Sequence, residues 1–119
     1  MAFKGYLLNN YKKTEDGIIY CLLTNELIKK YKLTSGKAGS FVNLLSNVEG
    51  YGIWLLGVGT DDGKFQYEIR STGADVQKVV ILYGGGGHKC AAGYTVEHFS
   101  QDNFDDLLKN LSLSLKEFQ

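Results

Sequence analysis

A chain of 119 residues without proline has room for one domain around a single core. Its 44% apolar and 22% charged content exclude wholesale disorder, and its longest apolar runs are far too short to span a bilayer. Thirteen basic and thirteen acidic side chains cancel, so no global field pulls the chain onto nucleic acid or a membrane, and any anion site has to be local. Cys21 and Cys90 are too few for a disulfide framework, and no basic stretch followed by an apolar segment opens the chain. Both features predict a cytoplasmic protein.

Residues 1–16, with Asn9, Asn10, Lys12, Lys13, Glu15 and Asp16, read as a polar lead-in, which leaves 17–119 as the domain. Residues 18–24 form a continuous apolar run of strand length, predicted to be buried on both faces. Thr24 or Asn25 can cap a short helix over 26–31, with Leu27, Ile28 and Tyr31 as its apolar positions. A second helix is predicted over 38–47, because Phe41, Leu44, Leu45 and Val48 recur at three- and four-residue spacing before Gly50. Residues 53–59 read as a second buried strand, with Trp54 in the core.

Asp61, Asp62 and Gly63 then make a turn into 64–71, where Phe65, Tyr67 and Ile69 alternate with Lys64, Gln66, Glu68 and Arg70, the pattern of a hairpin. Residues 75–83 have strand composition, yet Val76, Val79, Val80 and Tyr83 share a helical face behind Asp75, so a helix ended by glycines is the preferred reading. A last strand over 92–97 precedes a C-terminal helix striped by Phe104, Leu107, Leu108, Leu111, Leu115 and Phe118. Its early Asp105 and Asp106 and its late Lys116 complement the helix dipole. Interleaved strands and helices predict an α/β (mixed α+β) domain, with a mixed sheet of four to five strands flanked by helices.

Fifteen glycines exceed the usual share of about 7%, and Gly84, Gly85, Gly86 and Gly87 are consecutive. Unobstructed backbone N–H groups over 84–88 can form a concave nest for an anion, with His88 as a titratable donor and Lys89 as a point charge. The bland alternative is a flexible connection. A P-loop is excluded, because Lys89 follows His88 and precedes Cys90, where that motif needs glycine before the lysine and a hydroxyl residue after it. The dinucleotide fingerprint is excluded too, because the glycines follow a predicted helix instead of a strand.

Gly84-Gly85-Gly86-Gly87-His88, followed by Ala91-Ala92-Gly93, resembles the GGGH motif of the DHH-associated C-terminal domain of DHH-family phosphoesterases. Ile69-Arg70-Ser71 resembles the Arg-Ser strand end of the same domain, and the likeness extends over residues 17–97. It is closest to the nanoRNases that also dephosphorylate 3'-phosphoadenosine 5'-phosphate. The resemblance implies a substrate-binding unit, forming the C-terminal part of a longer phosphoesterase. Its implied partners are short oligonucleotides or nucleotide phosphates, and an N-terminal DHH catalytic domain in the same or a separate chain. It leaves room for a homodimer and involves no membrane. Catalysis in that family uses two divalent metals, Mn2+ or Mg2+, held by the catalytic domain. The Asp-His-His triplet is nowhere in this chain, whose only histidines are His88 and His98, so no catalytic residue, metal ligand or cofactor is expected here.

The resemblance assigns phosphate or substrate binding to Arg70, Ser71, Gly84, Gly85, Gly86, Gly87 and His88, with Lys89 as a rim charge. Taken alone, Arg70 reads more readily as a strand arginine paired with Glu68 or Asp75, while Ser71 reads equally as a turn cap and His88 as a loop histidine bonded to backbone. Cys90 reads as a small packed residue and His98 as surface. Tyr83 and Tyr94 flank the glycines and are the aromatics placed to stack on a base. The competing function is a stand-alone, non-enzymatic nucleic-acid or nucleotide-binding module.

Overall fold

The computed structural model describes residues 2–119. One sheet of six strands carries the fold, in the order β1-β2-β3-β4-β6-β5. These are β1 (Lys12–Lys13), β2 (Ile18–Leu23), β3 (Ile53–Gly59), β4 (Phe65–Ser71), β5 (Gly86–His88) and β6 (Ala91–Val96). Only β2 and β3 are parallel; every other neighbouring pair is antiparallel. The fold is the expected mixed α/β class, with two short edge strands more than the sequence suggests at the low end of its range.

The parallel pair sits between two helical layers, so both faces are covered and β3 is buried at all seven positions. One layer is α4 (Val76–Ile81) and α5 (Gln101–Phe118), packed on Ile18, Leu55, Tyr67 and Ile69. The other is α1 (Ala2–Asn10), α2 (Asn25–Lys30), α3 (Ser35–Gly39) and a 3-10 turn over Val42–Leu45, packed on Ile19, Leu23, Trp54 and Leu56. Trp54 lies in this second core as expected, and its indole N–H donates to Asn43 Oδ1 at 3.1 Å.

Several local signals act as the sequence predicts. Thr24 Oγ1 accepts from the Leu27 N–H at the start of α2, and Asp75 Oδ1 accepts from the Lys78 N–H at the start of α4. The helical reading of this segment therefore holds over a strand, with α4 itself over Val76–Ile81. In α5, behind the Ser100 cap, Phe104, Leu107, Leu111 and Leu115 are buried, while Phe118, expected in the stripe, is 55% exposed. Asp61 and Asp62 serve the hairpin turn, where Asp61 accepts from Asn25 and Asp62 from the Thr60 hydroxyl.

Two expectations are corrected. The polar lead-in over 1–16 contains α1, whose Phe3 and Leu7 are fully buried; Met1 of that span lies outside the described residues. Phe3 meets the rings of Tyr31 and Phe41 edge-on at 5.4 and 5.3 Å, so its burial comes from remote segments and not from any stripe in its own helix. The helix predicted over 38–47 is instead two short pieces. Thr34 caps α3, which begins three residues earlier than expected, and at Ser40 the hydroxyl donates to the Lys37 carbonyl where the helix ends.

Candidate functional site

On β4 the two faces differ in chemistry. Phe65, Tyr67 and Ile69 enter the α4–α5 core, while Gln66, Glu68 and Arg70 alternate to the other face and are half-buried. On that face Gly39 of α3 packs against the Glu68 Cγ. Beyond this point β6 and β5 present Ala91, Gly93, Thr95, Gly86 and His88, all half-buried or exposed. With Gln66, Glu68 and Arg70, the β6 residues and Gly86 line an open groove of about 330 Å³, and His88 stands at the end of β5 outside that lining.

Strand register brings Arg70 and His88 together. Arg70 pairs with Ala91, and Ala91 pairs on its other side with His88, so the three form one row across β4, β6 and β5. Cross-strand partners share a face, and two strand spacings put the Arg70 and His88 backbones about 10 Å apart. Two long side chains can bridge that gap around a single anion. Main-chain bonds hold the row, with the Ser71 N–H donating to Cys90 O at 3.0 Å and the Val76 N–H to Lys89 O at 2.8 Å. Gln77 Nε2 donates to Gly87 O at 2.8 Å, so α4 also ties down the edge strand.

The Arg70 guanidinium donates through Nη1 to the Ile69 carbonyl at 2.9 Å, and its Nη2 lies 3.5 Å from Glu68 Oε1. Of its two possible carboxylate partners, Glu68 is therefore the one present, whereas Asp75 is occupied at the start of α4. A guanidinium carries five donors, so these contacts leave some for a ligand. Ser71 alternates to the opposite face, where its buried hydroxyl donates to Ala74 O at 2.6 Å. It closes the turn into α4 and does not share the groove with Arg70. Lys89 is exposed in the β5–β6 turn, Cys90 is half-buried beside it, and His98 is on the surface.

The glycine run is not the free nest expected over 84–88. Gly84, at φ +82°, and Gly85 end α4 by donating to Ile81 O and Val80 O, each at 3.1 Å, the paired bonds of a Schellman motif. Gly85 is pressed against β6, and a Cβ there would strike the Gly93 carbonyl and stand 2.5 Å from both Tyr94 Cβ and Val80 Cγ1. Gly86 and Gly87 belong to β5 and line the groove. The chain then returns as β6, so no helix start lends its dipole to the site.

Tyr83 and Tyr94 are also corrected. Their rings stack on each other, 4.9 Å between centroids, in the α4–α5 core, so neither ring is offered to a base. Burial and the Asp106 carboxylate, which accepts from the Tyr83 hydroxyl, raise the Tyr83 phenol above its ordinary value. Glu68, Gln66 and Thr95 are groove residues that sequence reasoning did not single out. Alternation placed Gln66 and Glu68 on Arg70's face, but nothing local showed that this face stays open.

A more apolar cleft, about 320 Å³, lies at the C-terminal ends of β2 and β3 beside Phe65 and Phe99. Its polar groups are already engaged: Asn25 donates to Gly59 and Asp61, and the Thr60 hydroxyl to Asp62. Among the described residues, no three His, Cys, Asp or Glu side chains converge closely enough to hold a metal ion, so the donors present do not fit a two-metal centre.

The structure is a helix-flanked mixed sheet closed at one edge by a glycine-rich strand, two strands from Arg70. The DHHA1 domain model matches residues 15–117, and the chain belongs to that family. It is 34% identical over 113 residues to the bifunctional oligoribonuclease and PAP phosphatase of Mycoplasma genitalium, covering 93% of this chain and 35% of that protein. It is 28% identical over 119 residues to the Bacillus subtilis protein of the same description, covering 100% and 37%. The chain thus spans about a third of the length of these curated relatives. An exopolyphosphatase-related protein from Bacteroides fragilis has the same fold, with a TM-score of 0.78 at 22% identity over 98% of this chain and 34% of that one.

Proposed function

We propose that this domain is the substrate clamp of a DHH-family phosphoesterase, holding the phosphate of a short oligoribonucleotide or of 3'-phosphoadenosine 5'-phosphate. Hydrolysis then belongs to a DHH domain, in the same or a separate chain, which carries manganese or magnesium. The observation that carries this reading is the Arg70–Ala91–His88 row on the open face of the sheet. A planar guanidinium suits two parallel bonds to a phosphate, and an imidazole across the row offers a further donor. Only the small Ala91 stands between them, and Gly86 adds no side chain to the neighbouring row, so a phosphodiester backbone can lie close to the sheet. The oligoribonuclease and PAP phosphatase activities of the relatives from Mycoplasma genitalium and Bacillus subtilis support the substrate class. Cytoplasmic nucleotide turnover is the setting that fits it, and no described helix is long and apolar enough to cross a membrane.

The test is titration of the chain with a 5'-phosphorylated dinucleotide at several salt concentrations. With zero net charge and few phosphate contacts, binding is expected to be weak, with a shallow salt slope of about −0.7 per contact. Arg70→Ala or His88→Ala should weaken it. The chain alone, with manganese added, should hydrolyse neither the dinucleotide nor 3'-phosphoadenosine 5'-phosphate. Tight binding that is unchanged by Arg70→Ala and His88→Ala would instead identify a stand-alone nucleic-acid module with its site elsewhere.

A further inference from the structure

The groove changes polarity along β4 in steps of two residues. Arg70, Ala91 and His88 form the first row; Glu68 lies in the next, opposite Gly93 and, beyond it, Gly86; Gln66 and Thr95 form a third. Successive rows are about 7 Å apart, two residues of strand rise. Both carboxylate oxygens of Glu68 lie 3.6 Å from where a Cβ on Gly93 would stand, and Gly39 backs the side chain on its other side. The carboxylate therefore hangs over the β6 glycine, inside the groove.

Its present contacts are long, with Gln66 Nε2 at 3.3 Å and Arg70 Nη2 at 3.5 Å, and its side chain is 26% exposed. A carboxylate has about four acceptor positions, so Glu68 can still accept from a ligand. A ligand lying along the groove meets donors in the first row, then an acceptor-only group above a floor without side chains. A second phosphate in the Glu68 row is repelled, whereas a hydroxyl donor is bound. In a nucleotide the group beside the phosphate is the sugar, and only ribose has a 2'-hydroxyl to donate.

We propose that Glu68 is the specificity-determining residue of this groove, accepting a hydrogen bond from a ribose hydroxyl of a ligand whose phosphate lies between Arg70 and His88. The groove then favours ribonucleotides over deoxyribonucleotides and over polyphosphate chains. This inference rests on the phosphate-clamp reading and adds the group that reads the sugar.

The test is a titration of the 119-residue chain, followed by NMR shift perturbation, with pApA, its deoxy counterpart and tripolyphosphate. The ribodinucleotide should bind about tenfold more tightly than the deoxy form, the low end for a hydrogen bond to a charged group, as befits a half-exposed groove. Glu68→Ala should bring that ratio close to one and raise tripolyphosphate affinity, because a repelling charge is removed. Glu68→Gln, of the same shape, should relieve the repulsion while keeping part of the ratio, and the wild-type ratio itself does not depend on either variant folding. Equal binding of the two dinucleotides by wild type, or a ribose preference surviving in both variants, overturns the assignment. Arg70→Ala separates the two levels. If it leaves both dinucleotides bound as before, the phosphate clamp itself is wrong. If it weakens both while wild type shows no ribose preference, the clamp stands and the role given to Glu68 fails.

Discussion

Gly85 and Gly86 are adjacent in sequence but differ in what a methyl group would meet. At Gly85 an added Cβ would strike the Gly93 carbonyl and crowd Tyr94 and Val80; two of these are backbone or backbone-proximal atoms that cannot swing aside. Overpacking of this kind costs about 1–3 kcal/mol, and an obstructing main-chain oxygen argues for the upper end. In a domain of this size each kcal/mol moves the melting temperature by about 3–5 °C, so Gly85→Ala should lower Tm by about 10 °C. At Gly86 no atom lies within 4 Å of the built Cβ, and its φ is outside the left-handed region. Gly86→Ala should therefore be neutral, or stabilising by up to about 1 kcal/mol through the reduced freedom of the unfolded chain. Thermal unfolding of the three proteins, followed by circular dichroism, reads both signs. Comparable losses at the two positions, or the larger loss at Gly86, would refute the packing account of the glycine run. Because Gly86 lines the groove, its alanine variant should also bind a phosphorylated dinucleotide less well while melting no lower than wild type.

Arg70→Lys should weaken that binding even though the charge is kept, since the planar fork is lost. Combining Arg70→Ala with His88→Ala should cost less than the sum of the single losses if both hold one phosphate, and strict additivity in a double-mutant cycle would argue for separate sites. Tyr67 is fully buried, and its hydroxyl has no hydrogen-bond partner among the described residues, so Tyr67→Phe should hold or raise Tm by a few degrees; a clear drop would reveal a bond that the phenol makes. Burial pushes the Cys21 thiol up to about 11, with Lys12 partly opposing it. Between about pH 9 and 11 the unfolded chain therefore binds fewer protons at this group than the folded one. The thiol's contribution to stability is complete below pH 9 and is lost as pH rises through 11. Wild type should lose Tm more steeply than Cys21→Ala across that window, and parallel pH profiles would show that the thiol is not held in this way.

Much of the fold was legible because its signals are local. Alternation over residues 64–71 depends only on the two-residue period of a strand, and the caps at Thr24 and Asp75 on bonds spanning three residues. The α5 stripe needs only helical spacing, and β2 and β3 announced burial on both faces by having few polar positions. Tertiary structure decided the rest. The helical turns at Ala2–Asn10 gain from Phe3 only once Tyr31 and Phe41, far along the chain, supply the other rings. Glycines carry no side-chain pattern, so the division of Gly84 to Gly87 between a helix terminus and an edge strand appears only against β6. The candidate site followed the same division. The family resemblance, more than residue type, pointed to Arg70 and His88 for phosphate binding, but their common row, the turn of Ser71 to the other face and the place of Glu68 above Gly93 follow from strand register. Register is set by pairing between distant segments, which no local spacing records.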